Sequence, residues 1–183
     1  LVFTRRARLR VRPLGGPGAG GRASLHRLLH EPDFPLAAFL LSVLGEGSFL
    51  ALLAFLEQHA PDPVTRTIAR LVLQDEARHV AYGLAHLELA VGADPALRGR
   101  LALAVERRHD ALRDTAGLNA SVRDALVVLA AGAWTADAIA SGVARVRALE
   151  ADMDEGRRRR LARLGFSAEE AATLSALHTR NFM

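Results

Sequence analysis

The chain has 183 residues, half of which are apolar, and it contains no cysteine. Without cysteine, neither a disulfide framework nor a thiolate metal site can form, so any metal must bind to histidine and carboxylate side chains. The 24 basic residues are all arginine, and seven of them but no acidic residue fall in residues 1–30. Residues 31–183 are therefore slightly acidic, which excludes a general nucleic-acid-binding surface. The lack of cysteine fits a cytoplasmic protein.

Residues 1–30 are predicted to form a disordered lead-in. The sequence "LVFTRRARLRVRPLGGPGAGGR" is basic and then rich in glycine and proline, and it has no helical or strand periodicity. It lacks the apolar core of a secretory signal, and a transit peptide or an arginine-rich nucleic-acid-binding tail are the alternatives. We expect a single domain over residues 31–183.

Five segments after residue 30 have helical periodicity, and no segment alternates as a strand would. Three of them begin at Asp33, Asp62 and Asp94, each an N-cap with proline in the first turn. The last begins with a capping box made of Ser167 and Glu170. Short turns make successive helices antiparallel neighbours, so the predicted fold is an all-α bundle. The helices cover approximately residues 34–60, 63–92, 95–117, 120–150 and 167–180.

The first and fourth helices are apolar on nearly every side. In "FPLAAFLLSVLGEGSFLALLAFL" the polar residues are Ser42, Glu46 and Ser48. Such helices lie either at the centre of a protein or in a membrane. Glu46 opposes the membrane interpretation, because a central carboxylate is costly in lipid, and Asp137 interrupts the fourth helix in the same way.

A Glu-x-x-His pair lies in the second helix, within "LQDEARHVAYG". Projected at 100° per residue, Glu76 falls opposite the polar stripe, among apolar residues, with His79 beside it. A buried carboxylate needs a cation or a proton, and residues three apart share a helix face. Glu76 and His79 are therefore candidate metal ligands.

The turn between the first two helices brings a third candidate to the same depth. Glu46 and Ala77 lie about equally far from this turn, so an antiparallel hairpin places Glu46 opposite Glu76 and His79. Metal ligation explains this convergence more simply than chance. A second Glu-x-x-His pair, Glu106 and His109, provides a control, because it points away from the apolar stripe of its helix and is predicted to be solvated.

Glu46 followed on the next helix by "DEARHVAYG" resembles the second half of the ferritin-like di-iron carboxylate bundles. The sequence "DEARH" is most similar to ribonucleotide-reductase-small-subunit-like and para-aminobenzoate N-oxygenase-like oxidases. In that superfamily, a Glu from each of two helices and a Glu-x-x-His from each of two others bind the metal pair. The resemblance, over residues 31–90, implies a ferritin-like antiparallel bundle with Glu46, Glu76 and His79 as ligands. It also implies that Asp75 orients a histidine of the other half.

The resemblance implies an iron pair, with manganese as the alternative, and an oxygen-dependent oxidoreductase acting on a small organic substrate or on ferrous iron. The chain carries only half of the ligands, at residues 34–91 of the bundle. We expect the other half from missing N-terminal helices, in which case the sequence is a fragment, or from a homodimer partner. One alternative is a metal-free helical scaffold or partner-binding module with a vestigial site. A membrane-associated helical protein is the second alternative.

Overall fold

The computed structural model describes residues 26, 28–112 and 120–177. All the regular structure in these residues is helical, which confirms the all-α class and the helical bundle. Of the predicted lead-in over residues 1–30, only His26 and residues 28–30 are described. The elements in chain order are α1 (Phe34–Ala38), a π-helix (Phe39–Glu46), α2 (Gly47–His59), α3 (Pro63–Ala93), α4 (Leu97–Leu112), α5 (Ala120–Ala131), α6 (Ala136–Arg163) and α7 (Ala168–Leu177).

Aspartate caps begin the helices of the first hairpin, as predicted. Asp33 accepts a hydrogen bond from the backbone N–H of Leu36, and Asp62 accepts one from the N–H of Thr65 at 2.8 Å. Both caps are followed by a proline, whose missing N–H costs nothing in the first turn. The continuous helix formed by α1, the π-helix and α2 therefore turns back at residues 60–62 and packs along α3.

Two apolar clusters hold this hairpin against the remaining helices. The first lies between the π-helix, the second half of α3, α4, the end of α6 and α7, and it includes Phe39, Leu87 and Leu161. The second lies between α2, α5 and the first half of α6, and it includes Phe55 and Val146. The two clusters explain why the first helix is apolar on so many sides, since different parts of it face different neighbours.

The prediction of one fourth helix over residues 120–150 is wrong. α5 ends at Ala131, and Gly132 follows with φ +66°, a left-handed conformation that glycine adopts without strain. Thr135 then caps α6, because its hydroxyl accepts a hydrogen bond from the N–H of Ala138. The two helices meet at 118°.

The arginine-rich segment at residues 157–160 belongs to α6. Ion pairs four residues apart stabilise this part of the helix, with Asp154 to Arg158 at 2.9 Å and Glu155 to Arg159 at 3.2 Å. The helix therefore continues to Arg163.

The last helix begins as predicted, with a reciprocal capping box. Glu170 accepts from the N–H of Ser167 at 2.7 Å, and the Ser167 hydroxyl accepts from the N–H of Glu170. The predicted ends of the third helix near residue 117 and of the last helix near residue 180 lie outside the described residues.

One described helix has the length and composition of a membrane span. Residues Phe34–His59 reach a mean hydropathy of 2.0 over their most apolar window, 39% of which is buried within the protein. α5 and α6 are long and apolar enough to span a membrane only if they are counted together as one bent pair. A central helix in the core of a protein has the same composition, so these values alone are weak evidence for a membrane span.

His59, at the end of α2, makes stability depend on pH. Its ring lies 4.5 Å from that of Phe55, and burial, followed by the charge of Arg145, lowers its pKa from 6.5. As the pH falls below 6.5, the unfolded chain takes up a proton more readily than the folded one, so the free energy of unfolding declines. We expect urea denaturation at pH 7 and pH 5 to show a smaller decline in His59→Gln than in the wild type. The exposed His30→Gln is the control, and equal declines in all three proteins would contradict this assignment.

Candidate metal centre

Three predicted ligands meet on the open side of the first hairpin. Glu46 is the last residue of the π-helix, and Glu76 and His79 lie one turn apart in the middle of α3. One ligand atom from each of the three side chains lies within 4.8 Å of the other two. We call this group the carboxylate–histidine cluster. The register counted from the turn therefore brings the three residues together in the folded chain.

The π-helix sets the position of Glu46. A π-helix has a wider turn than an α-helix and shifts the following side chains around the helix axis, and such segments often occur at functional sites. This one runs from Phe39 to Glu46, so the shift ends at the ligand itself. Sequence periodicity did not predict the π-helix, because an α-helical and a π-helical turn differ in hydrogen bonding and not in composition.

A buried arginine contacts the π-helix from α6. Arg160 Nε donates a hydrogen bond to the carbonyl of Val43 at 3.0 Å. A Cβ on Gly47 would lie 2.5 Å from Arg160 Nε, so glycine is required beside Glu46 for this contact. Burial, and then the charges of Arg157 and Arg159, lower the pKa of Arg160 to about 10. Sequence analysis missed this residue because nothing in an arginine run shows which member faces inward.

Two oxygens of the cluster lack any hydrogen-bond partner. Glu46 Oε2 and Glu76 Oε2 are both buried and unsatisfied. His79 Nδ1 lies 3.5 Å from Glu76 Oε2, an electrostatic contact that does not satisfy the oxygen. A buried carboxylate without a partner is costly, and a bound cation would remove that cost. These donors, hard oxygens and one imidazole, fit iron or manganese.

The cluster is covered on one side only. The side chain of Glu76 is 26% exposed and that of His79 is 61% exposed. His79 therefore lies at the edge of the buried face of α3 and is not enclosed by it, in contrast to the prediction from the helical projection. Additional groups have room to approach a metal from this open side.

The second Glu-x-x-His pair, Glu106 and His109, does not form a cluster of this kind. Glu106 is exposed, as predicted, but His109 is half-buried and its Nδ1 lies 2.7 Å from the carbonyl of Leu177. His109 thus links α4 to the end of α7. Across residues 28–112 and 120–177, the carboxylate–histidine cluster is the one group of three or more such side chains close enough to share a metal.

Two further residues near the cluster do not contribute ligands here. Asp75 is exposed and forms an ion pair with Arg78. It can bind a group outside this chain only if that ion pair breaks. His86 Nε2 is buried without a hydrogen-bond partner, and the His86 ring packs edge-on against Phe34 at 4.8 Å.

Comparison of the chain with protein-family models, with curated proteins and with solved structures finds no match in any of the three. The class of the protein therefore follows from its own architecture: an all-α helical bundle that presents two carboxylates and one histidine on an open hairpin face.

Proposed function

We propose that the first hairpin, formed by the π-helix, α2 and α3, provides half of the ligands of a di-iron carboxylate centre of the ferritin-like type, and that a second such hairpin completes it. The observation that carries this proposal is the convergence of Glu46, Glu76 and His79 with two buried carboxylate oxygens that no protein group satisfies. Two hairpins together would provide four carboxylates and two imidazoles, the donor set of such a centre.

Each residue of the cluster has a separate role in this proposal. Glu46 and Glu76 supply negative charge and hard oxygen donors from two different helices, and His79 supplies a neutral nitrogen donor. Arg160 and Gly47 hold the end of the π-helix in place behind Glu46. A bound ferrous pair would supply electrons that reduce dioxygen, so that the reduced oxygen could oxidise the substrate, and manganese is the alternative metal. The proposed reaction is oxidation of a small organic substrate or of ferrous iron.

Metal content tests this proposal directly. The purified chain, loaded with ferrous iron without oxygen and separated by size, should contain about one iron per chain in its complete assembly. Glu76→Ala should lose at least about tenfold in metal affinity, since a carboxylate ligand is removed. Glu106→Ala is the matched control, because it removes the glutamate of the other, exposed Glu-x-x-His pair.

The result that would contradict the proposal is equally specific. If the wild type binds neither iron nor manganese in any size fraction, or if Glu76→Ala and Glu106→Ala bind as much metal as the wild type, the cluster is not a metal centre.

A metal-free scaffold is the second candidate, and the exposure of His79 favours it. A histidine side chain that is 61% exposed is well solvated without any metal. On this view Glu46 and Glu76 are remnants of a site, and the helices serve to bind a partner protein.

A further inference from the structure

An exposed apolar stripe runs along α3. Most faces of a helix in a bundle are either buried or polar, but α3 has a third face on which large apolar side chains remain exposed. Two of them, Tyr82 and Leu89, are 71% and 76% exposed. We call this face the α3 stripe, and its members are Val64, Ile68, Leu71, Val72, Tyr82 and Leu89.

The α3 stripe passes beside the carboxylate–histidine cluster, and the exposed charged residues Asp75 and Arg78 lie between its two apolar ends. Within each end the members recur at intervals of three, four or seven residues, which places them along one side of the helix. From Val64 to Leu89 it is roughly 37 Å long. His79 falls within this length, on the edge of the stripe. Whatever covers the stripe therefore also approaches the open side of the cluster.

Four of the six members of the stripe are placed symmetrically about its midpoint, and the other two have alanine at the related positions. Leu71 and Tyr82 lie equally far from a point between Glu76 and Ala77, and so do Val64 and Leu89. If α3 packed antiparallel against the α3 of a second copy, with a two-fold axis at this point, Leu71 would face the partner's Tyr82 and Val64 the partner's Leu89. A contact related by a two-fold axis needs this self-complementarity.

The charges nearest the midpoint obey the same symmetry. Asp75 and Arg78 are both exposed and lie equally far from it, so each would face the oppositely charged residue of the other copy. A parallel arrangement in the same register would instead place like charges opposite one another. The antiparallel contact therefore combines apolar pairs at both ends with two complementary charge pairs at the centre.

We propose that a second copy of this chain docks on the α3 stripe, antiparallel, with the two-fold axis between Glu76 and Ala77. The contact itself is argued from the stripe, and only its purpose, completing the metal centre, rests on the proposed function. The axis brings the cluster and its copy to the same side of the contact, with the two Glu76 residues about 1.5 Å apart and the two His79 residues about 7.5 Å apart along the helix direction.

Charge reversal tests the contact and its register together. In Asp75→Arg, and separately in Arg78→Asp, each central pair becomes a pair of like charges, so each variant should dimerise at least about tenfold more weakly than the wild type. An equal mixture of the two variants should form heterodimers, because the arginine introduced in one chain then faces the aspartate introduced in the other. The ion pair within each helix stays broken in the mixture, so recovery cannot come from that pair. Arg70→Asp, on the polar face of α3, is the control that leaves dimerisation unchanged.

Cross-linking tests the register independently, since the chain has no cysteine of its own. Leu71→Cys mixed with Tyr82→Cys should give a covalent dimer on mild oxidation or with a short thiol cross-linker. Leu71→Cys alone should not, because its two copies would lie roughly 16 Å apart along the helix. Leu71→Cys mixed with Thr67→Cys, which lies on the polar face, is the negative control.

Both experiments are performed with a chelator present, so that their outcome does not depend on metal. A wild-type chain that sedimentation shows to be monomeric at high micromolar concentration, or single variants that dimerise as well as the wild type, would overturn the proposal. Dimers in this register that bind no metal would leave the contact standing and refute the proposed function. Metal bound at Glu46, Glu76 and His79 of a monomer would refute the contact and would show that these residues are metal ligands without a second hairpin.

Discussion

Replacing Glu76 with leucine is expected to stabilise the metal-free protein and to abolish its response to metal. Glu76 Oε2 is buried without a hydrogen-bond partner, so removing it relieves a desolvation cost, and leucine fills a similar volume. The free energy of unfolding without metal should rise by about 1–2 kcal/mol, the lower part of the range for an unsatisfied buried group, because the side chain is partly exposed. Urea denaturation in the presence of a chelator measures this change.

The metal response distinguishes a working site from a vestigial one. A ferrous ion at one hundred times its dissociation constant stabilises a folded protein by about 2.7 kcal/mol. The wild type should show a gain of this size and Glu76→Leu should show none. Glu106→Leu, at an exposed position, should keep the full gain and change stability by less than about 0.5 kcal/mol.

Three results would contradict these expectations. A Glu76→Leu variant that keeps the metal gain would show that Glu76 is not a ligand. A Glu76→Leu variant less stable than the wild type in chelator would show that Glu76 already has a favourable partner in the folded chain. A stabilised variant, together with a wild type that does not respond to metal, would favour the scaffold.

Replacing Gly83 with alanine is expected to destabilise the protein by about 1–3 kcal/mol, the usual cost of overpacking. A Cβ on Gly83 would lie 2.5 Å from Cβ of Ser42, at a close approach between α3 and the π-helix. The clash involves Cβ itself, which no rotation of the serine side chain can move. The two helices must therefore separate, one turn away from Glu46 and His79, and metal affinity should fall as well.

Two variants control for this effect. Gly92 lies in the same helix with no atom near its absent Cβ, so Gly92→Ala should stabilise by up to about 1 kcal/mol through helix propensity alone. Adding Ser42→Gly to Gly83→Ala removes the clashing atom and should restore metal affinity, although a second glycine lowers helix propensity. Thermal denaturation and metal titration of the four proteins provide the measurements. Equal effects of the two glycine substitutions would contradict the close approach at Gly83.

The hairpin that carries the cluster could be predicted because its signals are local. Asp62 and the proline after it determine where α3 begins, since both act on backbone groups within one turn. From this one boundary, helical geometry places Glu46 level with Glu76 and His79. The same reasoning separated the clustered pair from Glu106, which points to solvent.

The sequence-based predictions were wrong for the helix over residues 120–150 and for the exposure of His79. The helix predicted over residues 120–150 is mostly apolar on both sides of Gly132, and the structure shows that Gly132 follows the end of one helix and Thr135 begins another. The exposure of His79 likewise depends on which neighbour covers α3, and a helical projection contains no neighbours.

The all-α class, the capped starts of α1, α3 and α7, and the register of the ligand residues can all be predicted from the chain's local patterns, because caps and helical repeats depend on residues within a few positions of each other. Three other features emerge only in the folded protein: the π-helix that ends at Glu46, the burial of Arg160 against Gly47, and the exposure of the α3 stripe. These features depend on contacts between residues far apart in the chain, such as Val43 and Arg160, and no local pattern encodes such a contact.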